Sequence, residues 1–308
     1  MQLPNRKILV HKSIELKKVT KKNLPYVEEW QDRKVTGIKY DDCHAILIKK
    51  DGEVYAFSRQ GEPVSGALDH VLAALKGIKD DNFVMFAAAW NDWQEHRKIN
   101  GTFRRSHREG EEYSLDCLVF DFVSLQEFEN GISHRPWFAR IGEARGIVDA
   151  AAQVKPYAVD SLRMAFYGDA EECDRIVSES RAKGLLFTTD GLIERDPEAG
   201  WIAGAGSEGS ILKLKKKLTV DLLVEGIVEG KGKFVGMVGA FICPYKGQVQ
   251  MVQGGTATDD QRREWFLNPK SIVGTVIEVD ALGEFESGLL REPRMSRLRP
   301  DKQAHEVD

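Results

Sequence analysis

A lysine two residues before an acid, Lys39-Tyr40-Asp41, opens a series of groups suited to phosphate chemistry. Ser58-Arg59-Gln60-Gly61, Phe120-Asp121, Asp190-Gly191 and Lys213-Leu214-Lys215 follow in that order. Arg291-Glu292-Pro293 and Arg299-Pro300-Asp301-Lys302 close it. A lysine beside acids is by itself most often surface charge; the ordering of several such segments gives this one meaning. An amine attacks only when neutral, and burial or nearby cations bring a lysine closer to that state. Lys213 and Lys215 alternate along the strand-like run ILKLK, so they face one side and can reach one phosphate.

Strands and turns must hold these groups. His44–Ile48 and Val54–Phe57 flank Lys50-Asp51-Gly52, and Asp-Gly favours a tight primed turn, so a hairpin follows Lys39 directly. Asp69–Leu75 reads as a short helix, and Phe83–Trp90 and Leu115–Val123 as strands. Two helices follow: Ala-rich Gly142–Val154, then Asp169–Lys183, whose acids come early, whose bases come late, and which stops at Gly184. Short strands are expected at Gly191–Glu194 and Ile211–Lys215. A dense β series from Asp221 to Val279, punctuated by glycines, suggests a small barrel or sandwich. The composition shift near Leu218 divides the 308 residues into 1–218 and 219–308.

Composition narrows the class. Net charge is −4, so any nucleic-acid surface must be a local patch. Two such patches are legible: residues 1–22 hold seven Lys/Arg against Glu15 alone, and His96–Arg108 holds five Lys/Arg and no acid. The four cysteines form no CxxC pair, which argues against a zinc ribbon or a disulfide framework and fits reduced cysteines of a cytoplasmic chain. The beginning of the chain lacks the apolar core of a signal peptide, and no apolar run is long enough to span a membrane. Neither GxGxxG nor GxxxxGK[ST] occurs, which disfavours Rossmann and P-loop nucleotide sites.

The series resembles the covalent nucleotidyltransferases, most closely the small, phage-type ATP-dependent DNA ligases. Its most specific parts are GLLREPRMSRLRPDK (Gly288–Lys302), ILKLK (Ile211–Lys215) and NGTFRR (Asn100–Arg105). The resemblance implies an α+β nucleotidyltransferase (adenylation) domain followed by a small all-β OB-fold domain. It implies ATP and Mg²⁺ as cofactors and nicked double-stranded DNA as partner, acted on by a monomer away from membranes. Lys39 would be the nucleophile, with Lys213 and Lys215 on the α-phosphate. Ile38 and Phe120 would line the nucleotide, Phe120 by stacking on the purine, and Arg59 would hold a nucleotide or nucleic-acid phosphate. Asp190 would bind Mg²⁺, and Arg299 and Lys302 would orient the leaving pyrophosphate. Arg97, Lys98, Arg104 and Arg105 would lie on DNA phosphates, whose contacts carry no sequence readout. RNA ligation, capping-type transfer and a catalytically weakened nucleic-acid-binding relative are the alternatives.

The family's lysine motif is K-x-D-G, and the literal match is Lys49-Lys50-Asp51-Gly52. That match sits at the hairpin turn, where Gly52 is explained by backbone dihedrals. Only Lys39 leaves room for a complete hairpin before Arg59. Four departures accompany this assignment: Asp42 where the motif has glycine, His44 where arginine is usual, Ala88 where a glutamate is expected, and Asp190 in place of glutamate.

Overall fold

A computed structural model describes residues 10–64, 66–91, 96–104, 115–154, 161–182, 189–204, 208–215, 217–285 and 287–307. The chain divides into two compact units, Met1–Lys215 and Lys216–Asp308.

The first unit carries strands β1 (Ile14–Glu15), β2 (Val35–Tyr40), β3 (Cys43–Lys50), β4 (Glu53–Ser58), β5 (Phe83–Trp90), β6 (Asp116–Ser124), β7 (Ile132–Ser133), β8 (Leu162–Met164), β9 (Tyr167–Gly168), β10 (Thr189–Arg195), β11 (Trp201–Ile202) and β12 (Ile211–Lys215). Its helices are α1 (Leu24–Trp30), α2 (Asp69–Lys76), α3 (His96–Arg104), α4 (Leu125–Asn130), α5 (Trp137–Val154) and α6 (Ala170–Ala182). Two five-stranded sheets result, ordered β4-β3-β5-β6-β8 and β1-β12-β10-β2-β9.

The near-continuous apolar runs of β3, β5 and β6 are buried on both faces, as such runs must be. One face (Ala45, Leu47, Met85, Ala87, Val119) packs under α2 and α5 through Val71, Leu75, Ile147 and Val148. The other (Ile46, Ile48, Val84, Phe86) packs on Phe128 and Trp201. The second sheet is covered by α6 through Cys173 and Val177 against Ile38 and Leu192, and by α1 through Val27 and Trp30 against Leu212.

The β3–β4 turn is the expected primed one: Asp51 and Gly52 both have positive φ, 51° and 78°. Lys49 beside it is 2% exposed. Its ammonium donates to the carbonyls of Leu75 at 3.0 Å and Ile78 at 2.7 Å, at the end of α2. Leu75 is in the last turn of α2 and Ile78 two residues beyond its end, where carbonyls have spare acceptor capacity. The literal motif lysine is therefore a structural cap.

The second unit carries β13 (Leu218–Leu223), β14 (Gly226–Glu229), β15 (Val238–Tyr245), β16 (Gln248–Gln253), helix α7 (Asp259–Leu267), β17 (Val276–Ala281) and β18 (Arg294–Leu298). Its six strands form one sheet, β13-β17-β18-β16-β15-β14. The dense β series expected from Asp221 to Val279 is corrected by α7, which lies within it. Thr258 and Gln261 form a reciprocal capping box, and Trp265 is buried in the unit's core. Another correction is that α5 begins at Trp137, not Gly142. Pro136 directly precedes it, and its carbonyl accepts from Ala139 and Arg140.

Candidate active site

The site is assembled at the middle strand of the second sheet. Gly191 on β10 is the register partner of Lys39 on β2 and of Lys215 on β12. A side chain at Gly191 is impossible: its φ is +132°, and a Cβ would lie 2.1 Å from the Leu214 carbonyl oxygen. Between Thr189 and Gly191 the β10–β2 register slips, leaving Asp190 as the extra residue of a bulge. Bulges re-aim side chains. Here the Asp190 carboxylate receives Lys39 Nζ at 2.6 Å and Lys215 Nζ at 2.8 Å.

Lys39 is mostly enclosed, its side chain 20% exposed. Burial acts to lower its pKa, but the carboxylates of Asp190, Asp42 and Asp41 outweigh burial, and the net shift is upward. This corrects the expectation that burial and nearby cations would lower its pKa: the nearby acids prevail, and Lys39 is an ammonium. Lys213 shifts the other way. Burial first, then the charges of Lys215 and Lys39, lower its pKa. Lys213 and Lys215 thus point to one side of β12, as their spacing requires, and converge on Lys39. Asp190 is lowered against its burial by the charges of Lys39 and Lys215.

The remaining predicted residues are placed as follows. The Ile38 side chain lies in the apolar core under α6, so only its main chain could meet a ligand. Arg59 is exposed in the turn after β4. Its charge acts on His44 and Cys43 at the start of β3, which follows the Lys39 strand after two residues. Phe120 is half-buried on β6, its ring edge-on to His44 at 5.1 Å. Arg104 ends α3, exposed, its charge acting on Cys43. Arg97 and Lys98 lie on α3, but their side chains, like all of Arg105, fall outside the described residues.

Arg299 and Lys302 belong to the second unit. Both bond Asp221, at 2.8 Å and 2.6 Å, and Arg299 also pairs with Asp301 at 2.7 Å.

Sequence reasoning missed the support beneath Phe120. Asp121 is 3% exposed and accepts from Arg140 at 2.9 Å and 3.1 Å, with Arg195 at 3.6 Å. Arg195 is on β10, so this buried triad ties the two sheets together. Trp137 Nε1 donates to the Phe120 carbonyl at 2.9 Å. The signal was available: Arg140 lies among Trp137, Ala144, Ile147 and Val148 on the buried face of α5.

Mg²⁺ prefers oxygen ligands and is usually held by one or two carboxylates plus substrate phosphates. Asp190 is a single enclosed carboxylate between two ammonium groups. No cluster of three metal-ligating side chains occurs among the described residues. The donor set fits an ion carried on a nucleotide's phosphates and not a cage built by the protein.

The chain is similar to known DNA ligases in sequence and in fold. The DNA ligase OB-like domain family matches residues 229–299. The probable DNA ligase of Koribacter versatilis is 24% identical over 319 residues, covering 88% of this chain and 54% of that protein. Among solved structures, a Lig E DNA ligase has a TM-score of 0.66 at 13% identity, covering 94% of this chain and 98% of that one. The ATP-dependent DNA ligase of bacteriophage T7 in complex with ATP has a TM-score of 0.54 at 17% identity, covering 96% and 100%. The chain spans only 38% of the Halobacterium salinarum DNA ligase that it also matches, and about half of other relatives. The resemblance to DNA ligases read from the motifs therefore holds, and the fold is that of small ATP-dependent ligases. No described helix is long and apolar enough to cross a membrane.

Proposed function

We propose that this chain is an ATP-dependent DNA ligase that seals nicks through a lysyl-AMP intermediate. Residues 1–218 serve as the nucleotidyltransferase domain and 219–308 as the OB-fold domain, acting as a monomer in the cytoplasm. The observation that carries this reading is the Lys39–Asp190–Lys215 cluster around Gly191.

Lys39 Nζ attacks the α-phosphorus of ATP. The P–N bond forms, the P–O bond to pyrophosphate breaks, and pyrophosphate leaves. Lys39 must lose its proton first, and the Asp190 carboxylate at 2.6 Å holds that proton's position. Lys213 and Lys215 offset the negative charge that gathers on the α-phosphate. Mg²⁺, when bound on the nucleotide, would neutralise phosphate charge, with Asp190 offering one oxygen. Phe120 and Arg59 border the nucleotide, and Arg299 and Lys302 orient the pyrophosphate. AMP then passes to a 5′-phosphate, and a 3′-hydroxyl displaces it. Arg104, with the neighbouring Arg97, Lys98 and Arg105, meets backbone phosphates.

The test is incubation with α-labelled ATP, and separately GTP, followed by peptide mapping and a nicked-duplex sealing assay. Label from ATP on Lys39, lost in Lys39→Ala, is expected. An adduct on Lys49 or Lys50, or labelling by GTP alone, overturns the reading.

A further inference from the structure

A cavity of about 220 Å³ lies in the first unit, away from the lysine cluster. Ser210, which lines it, leads directly into β12. The next residue, Ile211, pairs with Arg195, four residues along β10 from Gly191. At about 3.3 Å per residue, that is roughly 13 Å from the Lys39 row. The volume would hold about seven waters, or one short-chain organic group.

Part of the lining is ionic and firmly built. The His11 side chain is only 5% exposed. Its Nδ1 accepts from the Ile202 N–H at 3.3 Å, so that nitrogen carries no proton. The ring proton sits on Nε2, which meets Glu208 Oε1 at 2.5 Å and Ser210 Oγ at 3.0 Å. The Ser210 hydroxyl donates to the same carboxylate oxygen at 3.0 Å. Burial acts to raise the Glu208 pKa, but these bonds, with one from its own N–H, bring it down to about 2. The trio is no nucleophile triad. Glu208 and Ser210 share one ring nitrogen, and the other is occupied by Ile202, so the imidazole has no nitrogen left to take a serine proton.

Charge decides what the cavity can take. Glu208 is an ionised carboxylate whose side chain is 35% exposed. Among the described residues no lysine or arginine lines the cavity, so a phosphate or carboxylate would meet an unopposed negative charge. Mg²⁺ wants several oxygen ligands, and no three metal-ligating side chains cluster among the described residues. An organic cation meets neither objection. The apolar lining gives it a second contact: Ile132 and Ile202 are register partners on β7 and β11, and both are exposed. A primary ammonium on an alkyl stem matches both features, donors for the carboxylate and methylenes for the isoleucines.

We propose that this cavity binds an alkylammonium group, carried by a free polyamine or by a lysine side chain, with its nitrogen on Glu208 and its stem against Ile132 and Ile202. The site is separate from the nucleotide site and does not rest on the ligase reading.

Calorimetric titration of the full chain at about 0.15 M salt tests it, a strength that screens exposed charges beyond about 8 Å. The probes are 1,4-diaminobutane and Nα-acetyl-lysine methylamide, with butyrate and 1-butanol as controls. Saturable binding of an amine is expected, and none of either control. Tighter binding of the diamine identifies a free polyamine as the source, and tighter binding of the lysine amide a side chain. Glu208→Gln keeps the shape and removes the charge, and should weaken amine binding at least about tenfold. Ile202→Trp, at an exposed position, narrows the cavity without touching the ionic lining and should also weaken it. A thermal melt checks that each variant is folded. The inference is overturned if the parent shows no saturable amine binding, if butyrate binds as well as the amines, or if folded Glu208→Gln keeps full amine affinity. Should Glu208→Gln fail to fold, unchanged amine affinity in Ile202→Trp overturns it instead.

Discussion

Replacing Asp190 by asparagine should lower the Lys39 pKa. The carboxylate lies 2.6 Å from Lys39 Nζ, and the lysine is mostly enclosed. Burial already pushes Lys39 toward the neutral amine, and the acids around it reverse that push. An opposite charge at this distance moves a pKa by about 1–3 units. Each unit is worth about 1.4 kcal/mol, so the carboxylate stabilises the ammonium by roughly 1.4–4 kcal/mol. Asparagine keeps the shape and removes the charge, leaving Lys39 facing Lys213 and Lys215 with only Asp41 and Asp42 in opposition. The neutral fraction near pH 7 should rise about 10- to 1000-fold.

Competitive acetylation by limiting acetic anhydride, read by mass spectrometry, reports that pKa without any turnover. The expected result is a Lys39 midpoint about 1–3 units lower in the variant. The pH profile of lysine adenylylation should move in the same direction, even where loss of a phosphate-site carboxylate lowers the absolute rate. An unmoved Lys39 midpoint would refute the claim that Asp190 holds the proton on the nucleophile.

Lys49→Ala should leave the Lys39 adduct intact but destabilise the chain by about 1–3 kcal/mol in denaturant, because buried carbonyls at the end of α2 lose their donor. Arg299→Ala should slow lysine adenylylation by about 10²–10³ while sparing sealing of a pre-adenylylated nick; equal slowing of both steps would remove its leaving-group role. His44, with a pKa of about 4 when folded against about 6.5 unfolded, stays neutral while the unfolded chain takes up a proton. Its contribution is present above about pH 6.5 and is lost as pH falls toward 4, up to about 3 kcal/mol. His44→Phe should flatten that part of the stability profile in urea melts. Ala88→Glu alone should lower the melting temperature, and His44→Arg with Ala88→Glu should restore it. Additive losses in the double variant would show that the two positions are uncoupled.

Much of the first unit was legible because its signals are local. The Asp51-Gly52 turn, the apolar run Phe83–Trp90 and the ILKLK alternation each follow from a few adjacent residues. The structural place of Lys49 was also within reach, since its position beside the Asp51-Gly52 turn follows from adjacent residues. What stayed hidden depends on register and on long-range burial. That Asp190 is the bulged residue, and so reaches two lysines, follows from the pairing of β10 with both neighbours. That His44 faces Ala88 follows from β3 pairing β5, not from any spacing along the chain. The direction of the Lys39 shift was misjudged for the same reason: sequence shows the cations that would lower its pKa but not the carboxylate that meets it.

The charge pattern of the site argues for when each lysine acts. Lys39 and Lys215 share the Asp190 carboxylate, and the acids around Lys39 hold it as an ammonium. Lys213 is the one held at a disadvantage, its pKa lowered by burial and by its two neighbours. A triphosphate entering here would relieve that repulsion first, so ligand charge and Lys213 charge should be taken up together. On the proposed reading, adenylylation would convert the Lys39 ammonium into a phosphoramidate whose nitrogen is uncharged and whose phosphate keeps one negative charge. One positive charge would then disappear from around Asp190, and Lys213 and Lys215 would remain to match the AMP phosphate. Gly191 fixes that arrangement, because no other residue lets Lys39 and Lys215 flank one position of β10 this closely.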